Sequence, residues 1–424
     1  MYFFKHINKI ENELALPGDK SISHRSLMIS AMAEGESEIN NLSNGEDVKT
    51  TWKCLEQLGA AIFEDNGKIK VKGKGFKNFD KPKDALFAGN SGTTARLLSG
   101  ILAAQNFQSI ITGDESLSQR PMKRIIEPLT QMGSNIESND FKLPIKINPS
   151  KNIKAINYTL PVASAQVKSS IIFAGLHCEG ETKIIEKIPS RNHTEKMLNL
   201  KTDKNEEGKI IFVSKKDYPN PSKFFVPSDI STAAYFIVLT LLTPNSYLLL
   251  KKVSLNDSRL GFVNHLKKMG AKIKFENVIN NAAEPYCDIF VESSELKNIQ
   301  IDKSDIPNLI DELPILTIAG LFAKGEFILE NAEELRYKES DRINTIVTNI
   351  RKLNIEVEEK SDGFSFHDNV KVDTSEFESF GDHRIAMSFA VLSMLLKNGG
   401  NVNGFECVNI SNPDFIEQVK GISC

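Results

Sequence analysis

Residues 16–40 read LPGDKSISHRSLMISAMAEGESEIN, and this stretch sets the pattern for the rest of the chain. A polar, charged opening leads into a segment that is apolar nearly all round, which predicts a buried helix followed by a strand. The same pattern recurs at six places, spaced on average by about 70 residues. The six copies begin near Ser23, Asn90, Ser164, Ser228, Leu309 and Gly381. The sequence therefore predicts six repeated units.

A second, amphipathic helix follows the buried helix in most copies and is predicted to pack outside it. Its apolar face in the first two copies consists of Val48, Trp52, Leu55 and Leu58, then Met122, Ile125, Ile126, Leu129 and Met132. A residue suited to a left-handed helix C-cap ends it, namely Gly59, Gly133, Gly270 or Asn354. Alternating strands such as KIKVKGKG and KLPIKINP come next. The predicted unit is strand, buried helix, strand, outer helix, strand, strand.

The length of 424 residues exceeds what one hydrophobic core usually supports, so two domains of three copies each are expected. The third copy is cut short around residues 199–209, and the sixth runs out at the C-terminus. An N-terminal strand that closes a ring would complete the sixth copy. We therefore predict an N-terminal domain of residues 15–226 and a C-terminal domain of residues 1–14 plus 227–424, with an α/β (α+β) fold.

Charge and composition exclude several classes of protein. The 52 Lys+Arg and 55 Asp+Glu residues give a net charge of -3, so no polyanion-binding surface and no nucleic-acid partner are expected. The apolar runs Ala233–Leu242 and Ile385–Leu396 are shorter than the roughly 18 residues of a membrane span and predict buried helices. No targeting segment is visible. The five cysteines, at 54, 178, 287, 407 and 424, are scattered without a CxxC pair, which favours a reduced cytoplasmic protein.

Cationic residues recur at the openings of the predicted helices. Lys20, Arg25, Arg96 and Arg384 lie at or near the starts of buried helices, and Arg120, Arg191, Lys338 and Arg342 at the starts of outer helices. Helix N-termini carry unpaired N–H groups and a positive dipole end, so added cations make anion sites there. One such residue alone is more often a solvated surface charge, but recurrence in a repeat favours binding. Small polyanionic substrates are predicted.

Two carboxylates, Asp311 and Glu339, accompany these cations. Either could be a helix-terminal carboxylate without a chemical role, so each is a weak signal alone. Other catalytic patterns are missing: Lys20-Ser21 lacks the earlier glycine of a P-loop, and there is no HExxH or GxSxG. His193 and Glu195 are interpreted as helix-surface polarity. Neither a metal nor a cofactor is expected.

Seven peptides in order make the chain resemble the EPSP synthase (3-phosphoshikimate 1-carboxyvinyltransferase) family over nearly its whole length. They are LPGDKSISHR, LFAGNSGTTARLL, GDESLSQRPM, SAQVKSS, PNLIDELP, LRYKESDR and GDHRIAMSFA. The runs SAQVK (164–168) and RNHTE (191–195) resemble the second subclass of that family. The resemblance implies a two-domain inside-out α/β barrel, each domain built from three βαβαββ repeats.

The resemblance also implies transfer of the enolpyruvyl group of phosphoenolpyruvate to the 5-hydroxyl of shikimate 3-phosphate, by addition and elimination. The implied catalytic residues are Asp311, as base for the hydroxyl, with Glu339 and Lys20 as acids whose roles stay undivided. Shikimate 3-phosphate is expected mainly on the side of the N-terminal domain. Its implied contacts are Lys20, Ser21, Arg25, Ser164, Ala165, Gln166, Asp311 and Lys338. The implied phosphoenolpyruvate contacts are Lys20, Gly92, Arg120, Gln166, Arg342 and Arg384. The protein is expected to be a monomer that binds these two small molecules and neither nucleic acid nor a membrane. Its two domains are expected to close as shikimate 3-phosphate binds.

Two departures from the family pattern and two alternatives stay open. Ala165 replaces a serine, and the C-terminal SNPDFIEQV lacks a ligand-binding lysine. The sister enzyme, UDP-N-acetylglucosamine enolpyruvyl transferase, usually carries a reactive cysteine before the Arg-Pro pair, where this chain has Glu115. A non-catalytic anion-binding repeat protein would need the cations but not the two carboxylates. For the response to glyphosate, Gly92 favours sensitivity, because some resistant family members carry alanine there, whereas the subclass motifs favour tolerance.

Overall fold

The computed structural model describes residues 1–151 and 153–423. The chain divides into two compact units. The N-terminal unit is Gly18–Val226, and the C-terminal unit is Met1–Pro17 with Pro227–Cys424. The N-terminal segment of the C-terminal unit thus reaches Pro17, three residues beyond the expected segment 1–14. The expectation that Cys424 is a reduced cysteine concerns a residue outside the described ones.

The chain begins with two short strands of the C-terminal unit, β1 (Tyr2–Phe4) and β2 (Glu11–Ala15). The helices of the N-terminal unit are α1 (Lys20–Met32), α2 (Glu46–Gln57), α3 (Gly92–Leu102), α4 (Glu115–Gln119), α5 (Lys123–Gln131), α6 (Ala165–Gly175) and α7 (His193–Met197). Its strands are β3 (Glu34–Asn40), β4 (Ala61–Asp65), β5 (Lys68–Lys74), β6 (Leu86–Phe87), β7 (Ser109–Thr112), β8 (Ile136–Asn139), β9 (Lys142–Ile147), β10 (Asn157–Thr159), β11 (Thr182–Glu186), β12 (Thr202–Asn205), β13 (Gly208–Val213) and β14 (Lys223–Phe225).

The remaining elements belong to the C-terminal unit. Its helices are α8 (Ile230–Leu242), α9 (Gly261–Lys268), α10 (Ile306–Leu309), α11 (Leu313–Phe322), α12 (Arg342–Arg351), α13 (His383–Leu395) and α14 (Phe415–Ile422). Its further strands are β15 (Tyr247–Ser254), β16 (Lys272–Ile279), β17 (Tyr286–Glu292), β18 (Phe327–Leu329), β19 (Val357–Lys360), β20 (Gly363–Phe366), β21 (Ser375–Glu378) and β22 (Gly400–Asn403).

The described residues form six small sheets, three in each unit. The N-terminal unit has the strand orders β14-β3-β5-β4, β6-β7-β9-β8 and β10-β11-β13-β12, and the C-terminal unit has β2-β15-β17-β16, β18-β20-β19 and β1-β22-β21. In the four-stranded sheets the first pair is parallel and the others are antiparallel. A buried helix connects the parallel pairs β6-β7 and β10-β11, whereas the parallel pairs β14-β3 and β2-β15 join strands that are distant in sequence. The predicted βαβαββ unit is therefore confirmed in the N-terminal unit.

The fifth and sixth repeats depart from that unit, since their sheets have three strands. In the fifth, the first strand is reduced to an isolated parallel bridge between Lys297 and Lys324. In the sixth, the chain ends after α14, and β1 alone takes the place of the final hairpin by pairing antiparallel with β22. The predicted pairing of the N-terminal residues with the C-terminal half is confirmed.

The segments that lead into the two units exchange strands. The predicted domain bounds assign residues 1–14 to the C-terminal domain and residues up to 226 to the N-terminal domain, but the partner strands of β2 and β14 were not predicted. Strand β2 directly precedes α1, yet it pairs in parallel with β15 of the C-terminal unit. Strand β14 directly precedes α8, yet it pairs in parallel with β3 of the N-terminal unit. Each unit thus takes the first strand of its first sheet from the chain segment that leads into the other unit.

The core of each unit consists of the helices that open the repeats. In α8 every residue from Ile230 to Leu241 is buried, and in α13 every residue from His383 to Met394, as their all-round apolar sequences predict. The outer helix α5 buries only one face, including Ile125 and Leu129. The predicted C-caps have left-handed backbone angles, with φ of 90° at Gly59. Among the described residues, no helix is long and apolar enough to cross a membrane.

Candidate functional site

The N-terminus of α1 carries the first predicted site residues. The Asp19 carboxylate caps the helix by accepting the Ile22 amide N–H at 2.9 Å, so the first turn is fixed. Lys20 is the first helical residue, and its Nζ lies 3.1 Å from Asp47 Oδ2 at the start of α2. The ammonium is thereby held at a helix N-terminus, where an anion is also favoured.

Arg25 lies one turn further along α1 and is 3% exposed. Its Nε donates to Thr194 Oγ1 at 2.7 Å, and Nη2 donates to Ser169 Oγ at 2.8 Å. Nη1 donates to the carbonyl oxygen of Ser21 at 2.9 Å. The guanidinium is thus oriented by α1 of the first repeat and by α6 and α7 of the third repeat. All three of these partner groups are neutral.

The opening of α6 carries Ser164, Ala165 and Gln166. Ser164 is the N-cap residue and accepts the Val167 N–H at 3.4 Å. The carbonyl oxygen of Ala165 accepts the hydroxyl of Ser169 at 2.6 Å. Because Ser169 also binds Arg25, this hydrogen bond links the predicted α6 contacts to the predicted α1 contacts.

Gln166 is held by two residues of α3. Arg96 Nη1 donates to Gln166 Oε1 at 2.6 Å, and Gln166 Nε2 donates to Thr93 Oγ1 at 3.0 Å. A Cβ placed on Gly92 would lie 2.8 Å from Arg96 Nη1 and 3.7 Å from Arg120 Nη1. The missing side chain at Gly92 therefore lets two guanidinium groups approach the start of α3.

Arg120 follows α4 directly and is 8% exposed. Its Nη2 donates to Asn90 Oδ1 at 2.7 Å and to Ser116 Oγ at 3.1 Å. The Asn90 amide in turn donates to Asp114 Oδ2 at 2.7 Å, which fixes its orientation. The N-terminal unit therefore brings Gly92, Arg96, Arg120 and Gln166 together.

In the C-terminal unit, Asp311 lies in the turn between α10 and α11, with three cations around its carboxylate. Oδ1 lies 3.5 Å from Arg342 Nη1 and 3.9 Å from Lys338 Nζ. Oδ2 lies 3.6 Å from Arg384 Nη2, whose Nη1 also donates to the Asp311 carbonyl oxygen at 3.1 Å. The N-cap position of α11 is Glu312, so Asp311 is not the capping residue that it could have been.

Arg342 is 1% exposed and binds two further carboxylates. Its Nε donates to Asp382 Oδ2 at 2.8 Å, and its Nη2 donates to Glu339 Oε2 at 2.6 Å. The residue that caps α12 is Asp341, so Glu339 is left to pair with the guanidinium. The structure therefore joins all five residues predicted for this unit: Asp311, Lys338, Glu339, Arg342 and Arg384.

Burial and charge act in opposite directions on these groups. Burial disfavours the charged form of Asp382, but the Arg342 guanidinium outweighs it and holds the pKa of the carboxyl below its usual range. Burial likewise disfavours the charged form of Arg384, but the acidic groups around it, with Asp311 first among them, together outweigh burial and raise the pKa of the guanidinium. The ion pairs of this unit therefore stay charged in spite of their burial.

One interpretation of the sequence was wrong: His193 and Glu195 are not surface polarity. They are 1% and 3% exposed, and Glu195 Oε1 lies 2.8 Å from Lys168 Nζ. Glu195 is stabilised in the interior by its ion pair with buried Lys168, a partner in another helix that the local sequence does not reveal. Within residues 1–151 and 153–423, no group of three or more His, Cys, Asp or Glu could hold a metal ion.

Sequence reasoning missed several residues that hold the predicted ones in place. Asp47 stands in no quoted motif, and Asn90 stands in LFAGNSGTTARLL without any sign that it would hold Arg120, 30 positions away. Asp382, by contrast, stands in the GDHR peptide directly before α13 and could have been identified as an N-cap. Arg96 was recognised as one of the recurrent cations, but its contact with Gln166 spans 70 positions and was not foreseeable.

The chain matches known proteins over nearly its whole length. A sequence model of the family EPSP synthase (3-phosphoshikimate 1-carboxyvinyltransferase) matches residues 4–419. A Petrotoga mobilis protein named 3-phosphoshikimate 1-carboxyvinyltransferase is 46% identical over 416 residues, covering 96% of each chain. A protein of the same name from Leuconostoc mesenteroides is 43% identical over 425 residues, covering 98% of this chain and 97% of that one.

Solved structures confirm the predicted fold class. The EPSP synthase of Acinetobacter baumannii superposes with a TM-score of 0.86 at 38% identity, covering 99% of this chain and 98% of that one. The enolpyruvyl transferase NikO of Streptomyces tendae has a TM-score of 0.76 over 99% of this chain and 96% of that one, at 11% identity, which shows a shared fold alone. The sister-enzyme alternative is not favoured by these matches. With the repeats, the two sets of site residues and these similarities in agreement, the chain belongs to the EPSP synthase family.

Proposed function

We propose that the chain transfers the enolpyruvyl group of phosphoenolpyruvate to the 5-hydroxyl of shikimate 3-phosphate, which gives 5-enolpyruvylshikimate 3-phosphate and phosphate for the synthesis of chorismate and aromatic amino acids. The observation that carries the proposal is the Asp311 carboxylate, with three cationic groups at 3.5 to 3.9 Å. A carboxylate held in this way can accept a proton from a hydroxyl while the cations bind anionic substrate groups.

For shikimate 3-phosphate we propose contacts from Lys20, Ser21, Arg25, Ser164, Ala165, Gln166, Asp311 and Lys338. A phosphate carries about -1.5 to -2 charges near neutral pH, so it needs cations and N–H donors that are already in place. Arg25 supplies a guanidinium fixed by three neutral partners. The N-terminus of α6 supplies backbone N–H groups. Ala165 has no hydroxyl to add, so the contact proposed there is with the main chain.

For phosphoenolpyruvate we propose contacts from Lys20, Gly92, Arg120, Gln166, Arg342 and Arg384. Guanidinium forks match the geometry of carboxylates and phosphates, and charge-assisted hydrogen bonds contribute roughly 1.5 to 3 kcal/mol each. Arg120 and Arg342 are each held by at least two hydrogen bonds, so little side-chain freedom is lost when they bind an anion.

The proposed reaction is an addition followed by an elimination. In the addition, Asp311 accepts the proton of the 5-hydroxyl, whose oxygen bonds to the phosphate-bearing carbon of phosphoenolpyruvate while the methylene carbon gains a proton. In the elimination, the new methyl group loses a proton and the carbon–oxygen bond to phosphate breaks. Glu339 and Lys20 are the candidate acids for the proton transfers at carbon. Their roles are not divided between them.

We also infer a monomeric cytoplasmic enzyme without cofactor. Cys54, Cys178, Cys287 and Cys407 are free thiols, which suits a reducing compartment. One copy of the chain contains every residue proposed above. Glyphosate sensitivity is left to an inhibition curve against phosphoenolpyruvate.

The decisive experiment measures phosphate release from phosphoenolpyruvate, with shikimate 3-phosphate present or omitted. Release is expected only with both substrates, and a UDP-N-acetylglucosamine acceptor should not replace shikimate 3-phosphate. The variant Asp311→Ala should lose release while it still binds shikimate 3-phosphate in calorimetry. Binding of both anions without any release by the wild-type protein would show an anion-binding protein and refute the proposal.

A further inference from the structure

A fully buried ion cluster lies in the N-terminal unit, behind the predicted substrate contacts. Lys168, in the second turn of α6, has no exposed surface. Its Nζ lies 2.8 Å from Glu186 Oε2 at the end of β11 and 2.8 Å from Glu195 Oε1 in α7. The ammonium therefore ties one strand and one helix of the third repeat to α6.

The cluster is balanced in charge, and Glu186 accepts further hydrogen bonds. Lys209 Nζ lies 3.1 Å from Glu195 Oε1, so two ammonium groups face two carboxylates. Glu186 Oε1 accepts the Ser190 N–H at 3.2 Å and the Ser190 hydroxyl at 2.5 Å. Removing one member of such a buried cluster leaves an uncompensated charge, which is strongly unfavourable. The separation of α6 and α7 is therefore fixed by Lys168 and Glu195.

The residues next to this ion pair on each helix are the ones that hold Arg25. Ser169 follows Lys168 in α6, and Thr194 precedes Glu195 in α7. Helix α7 has only five residues, His193–Met197, which is too short to be stable without tertiary contacts. The position of the Thr194 hydroxyl thus depends on what anchors α7, and Glu195 is its buried anchor.

One assignment of protons satisfies all the bonds in this group. Arg25 Nε donates to Thr194 Oγ1 at 2.7 Å, and Thr194 donates to Ser169 Oγ at 2.7 Å. Ser169 Oγ also accepts Arg25 Nη2 at 2.8 Å and donates to the Ala165 carbonyl oxygen at 2.6 Å. Both hydroxyls act as acceptors toward the guanidinium, and their own protons are directed elsewhere. The orientation of the Arg25 fork is therefore set by Thr194 and Ser169 together.

We propose that Lys168 and Glu195 are positioning residues for substrate binding: by anchoring α7 to α6 they place the Thr194 and Ser169 hydroxyls that orient Arg25 toward the phosphate of the acceptor substrate. The proposal rests on the proposed function, in which Arg25 binds that phosphate. It gives one physical role to the two subclass motifs, because the lysine that ends SAQVK and the glutamate that ends RNHTE are direct partners.

The test begins with Thr194, whose change leaves the ion cluster intact. Thr194→Val keeps the side-chain shape and removes the acceptor of Arg25 Nε, so the Kd and KM for shikimate 3-phosphate should rise about 10- to 100-fold. The KM for phosphoenolpyruvate should change less than about threefold. Thr194→Ser keeps the hydroxyl and should restore most of the loss. The exposed Glu206→Gln, in the turn between β12 and β13, is the matched control and should behave as wild type.

A double-mutant cycle tests whether the effect passes through Arg25. Thr194→Val should weaken shikimate 3-phosphate binding in the wild-type background but by less than about twofold in an Arg25→Ala background, as calorimetry would measure. Glu195→Gln should raise the same Kd about tenfold, and the effect should not add to that of Thr194→Val. If the two effects add, or if Thr194→Val weakens binding equally without Arg25, the positioning role is overturned.

Two outcomes separate this proposal from a merely structural cluster and from failure of the proposed function. If Glu195→Gln and Thr194→Val lower the melting temperature but leave the Kd for shikimate 3-phosphate unchanged, the cluster stabilises the fold only. If wild-type protein releases no phosphate with both substrates, the proposed function fails first. Activity of the wild type with normal Kd values for both variants would overturn the positioning role alone.

Discussion

The two units hold their cations in different ways. In the N-terminal unit, Arg25 is held by two hydroxyls and a carbonyl oxygen, and Arg120 by an amide oxygen and a hydroxyl. Lys20 of this unit pairs with Asp47 and the buried Lys168 pairs with Glu186 and Glu195, so the contrast concerns the site arginines. In the C-terminal unit, Arg342 is held by Asp382 and Glu339, and Arg384 lies against Asp311.

The difference indicates a division of labour. A neutral partner orients a guanidinium without cancelling its charge, so the attraction for an anion is retained. A carboxylate partner offsets part of that charge but is itself oriented and held ionised, which is what proton transfer requires. Arg342 and Arg384 remain proposed contacts of phosphoenolpyruvate. We therefore expect substitutions in the N-terminal unit to weaken substrate binding, and substitutions in the C-terminal unit to slow the reaction or destabilise the fold.

The largest effect is expected for Asp311→Asn. The amide is nearly isosteric but cannot accept the hydroxyl proton, so kcat should fall about 10³-fold or more, while the KM for shikimate 3-phosphate stays within about threefold. Steady-state kinetics with both substrates would measure it. Asp373→Asn, at an exposed position of the same unit, is the control. A large rise in KM with an unchanged kcat would contradict the assignment of Asp311 as a base.

A large effect on stability is expected for Asp382→Asn. Asparagine can still cap α13, but the change leaves buried Arg342 without its main charged partner, at a cost of about 3 to 5 kcal/mol in the free energy of unfolding at pH 7. The pKa of Asp382 is held below its usual range, so the stabilisation is complete above the unfolded pKa of about 3.9. It is lost as the pH falls through the lower folded value.

Urea unfolding of the wild type and of Asp382→Asn between pH 7 and pH 3 would measure both statements. The difference in unfolding free energy should be constant from pH 7 to about pH 5 and should shrink below about pH 4. A difference that grows as the pH falls would contradict the depressed pKa of this carboxyl.

A smaller effect on stability is expected for Asn90→Ala, which removes an uncharged hydrogen-bond partner of Arg120. Arg120 loses the acceptor at 2.7 Å, so the KM for phosphoenolpyruvate should rise about tenfold. The free energy of unfolding should fall by only about 1 kcal/mol, since no buried charge loses a charged partner. Gln131→Ala, exposed at the end of α5, is the control in kinetics and unfolding. A stability loss as large as that of Asp382→Asn would erase the distinction between the units.

The smallest effect is expected for Gly92→Ala. The added Cβ would lie 2.8 Å from Arg96 Nη1, the far end of a flexible side chain, so Arg96 and the Gln166 that it holds must shift slightly. The KM for phosphoenolpyruvate should rise about threefold, and that for shikimate 3-phosphate, which Gln166 also contacts in the proposal, should change less. Gly421→Ala, whose Cβ would meet no atom within 4 Å, is the control. Equal changes in both KM values would contradict the proposal that Gly92 contacts phosphoenolpyruvate specifically.

The features that were predicted from the sequence are those that depend on residues close to one another in the chain. The polar opening and all-round apolar run at residues 16–40 specify a capped, buried helix, and Gly59 marks the end of the next one. The cluster around Asp311 was predicted only through the resemblance, because its members are spread from residue 311 to residue 384.

The features that were missed depend on contacts between distant residues. Glu195 was misread because its partner Lys168 stands in another helix, 27 positions earlier, and a lone glutamate in a short polar helix resembles a surface residue. The contact of Arg96 with Gln166 likewise arises only when α3 packs on α6. Strand β2 was predicted to pair with the C-terminal half, but its partner β15 was not, since the pattern of a strand does not identify its neighbour.

The strand exchange imposes an order on synthesis at the ribosome. The N-terminal unit contains all of its own strands once β14 has emerged, whereas β2 must wait until β15 appears, about 230 residues later. At 5 to 20 residues per second that delay is roughly 10 to 50 seconds, during which β2 lacks its partner strand. A nascent chain stalled before residue 247 should therefore expose residues 11–15 to proteases, and a fragment that starts at residue 227 should lack the strand needed to finish its first sheet.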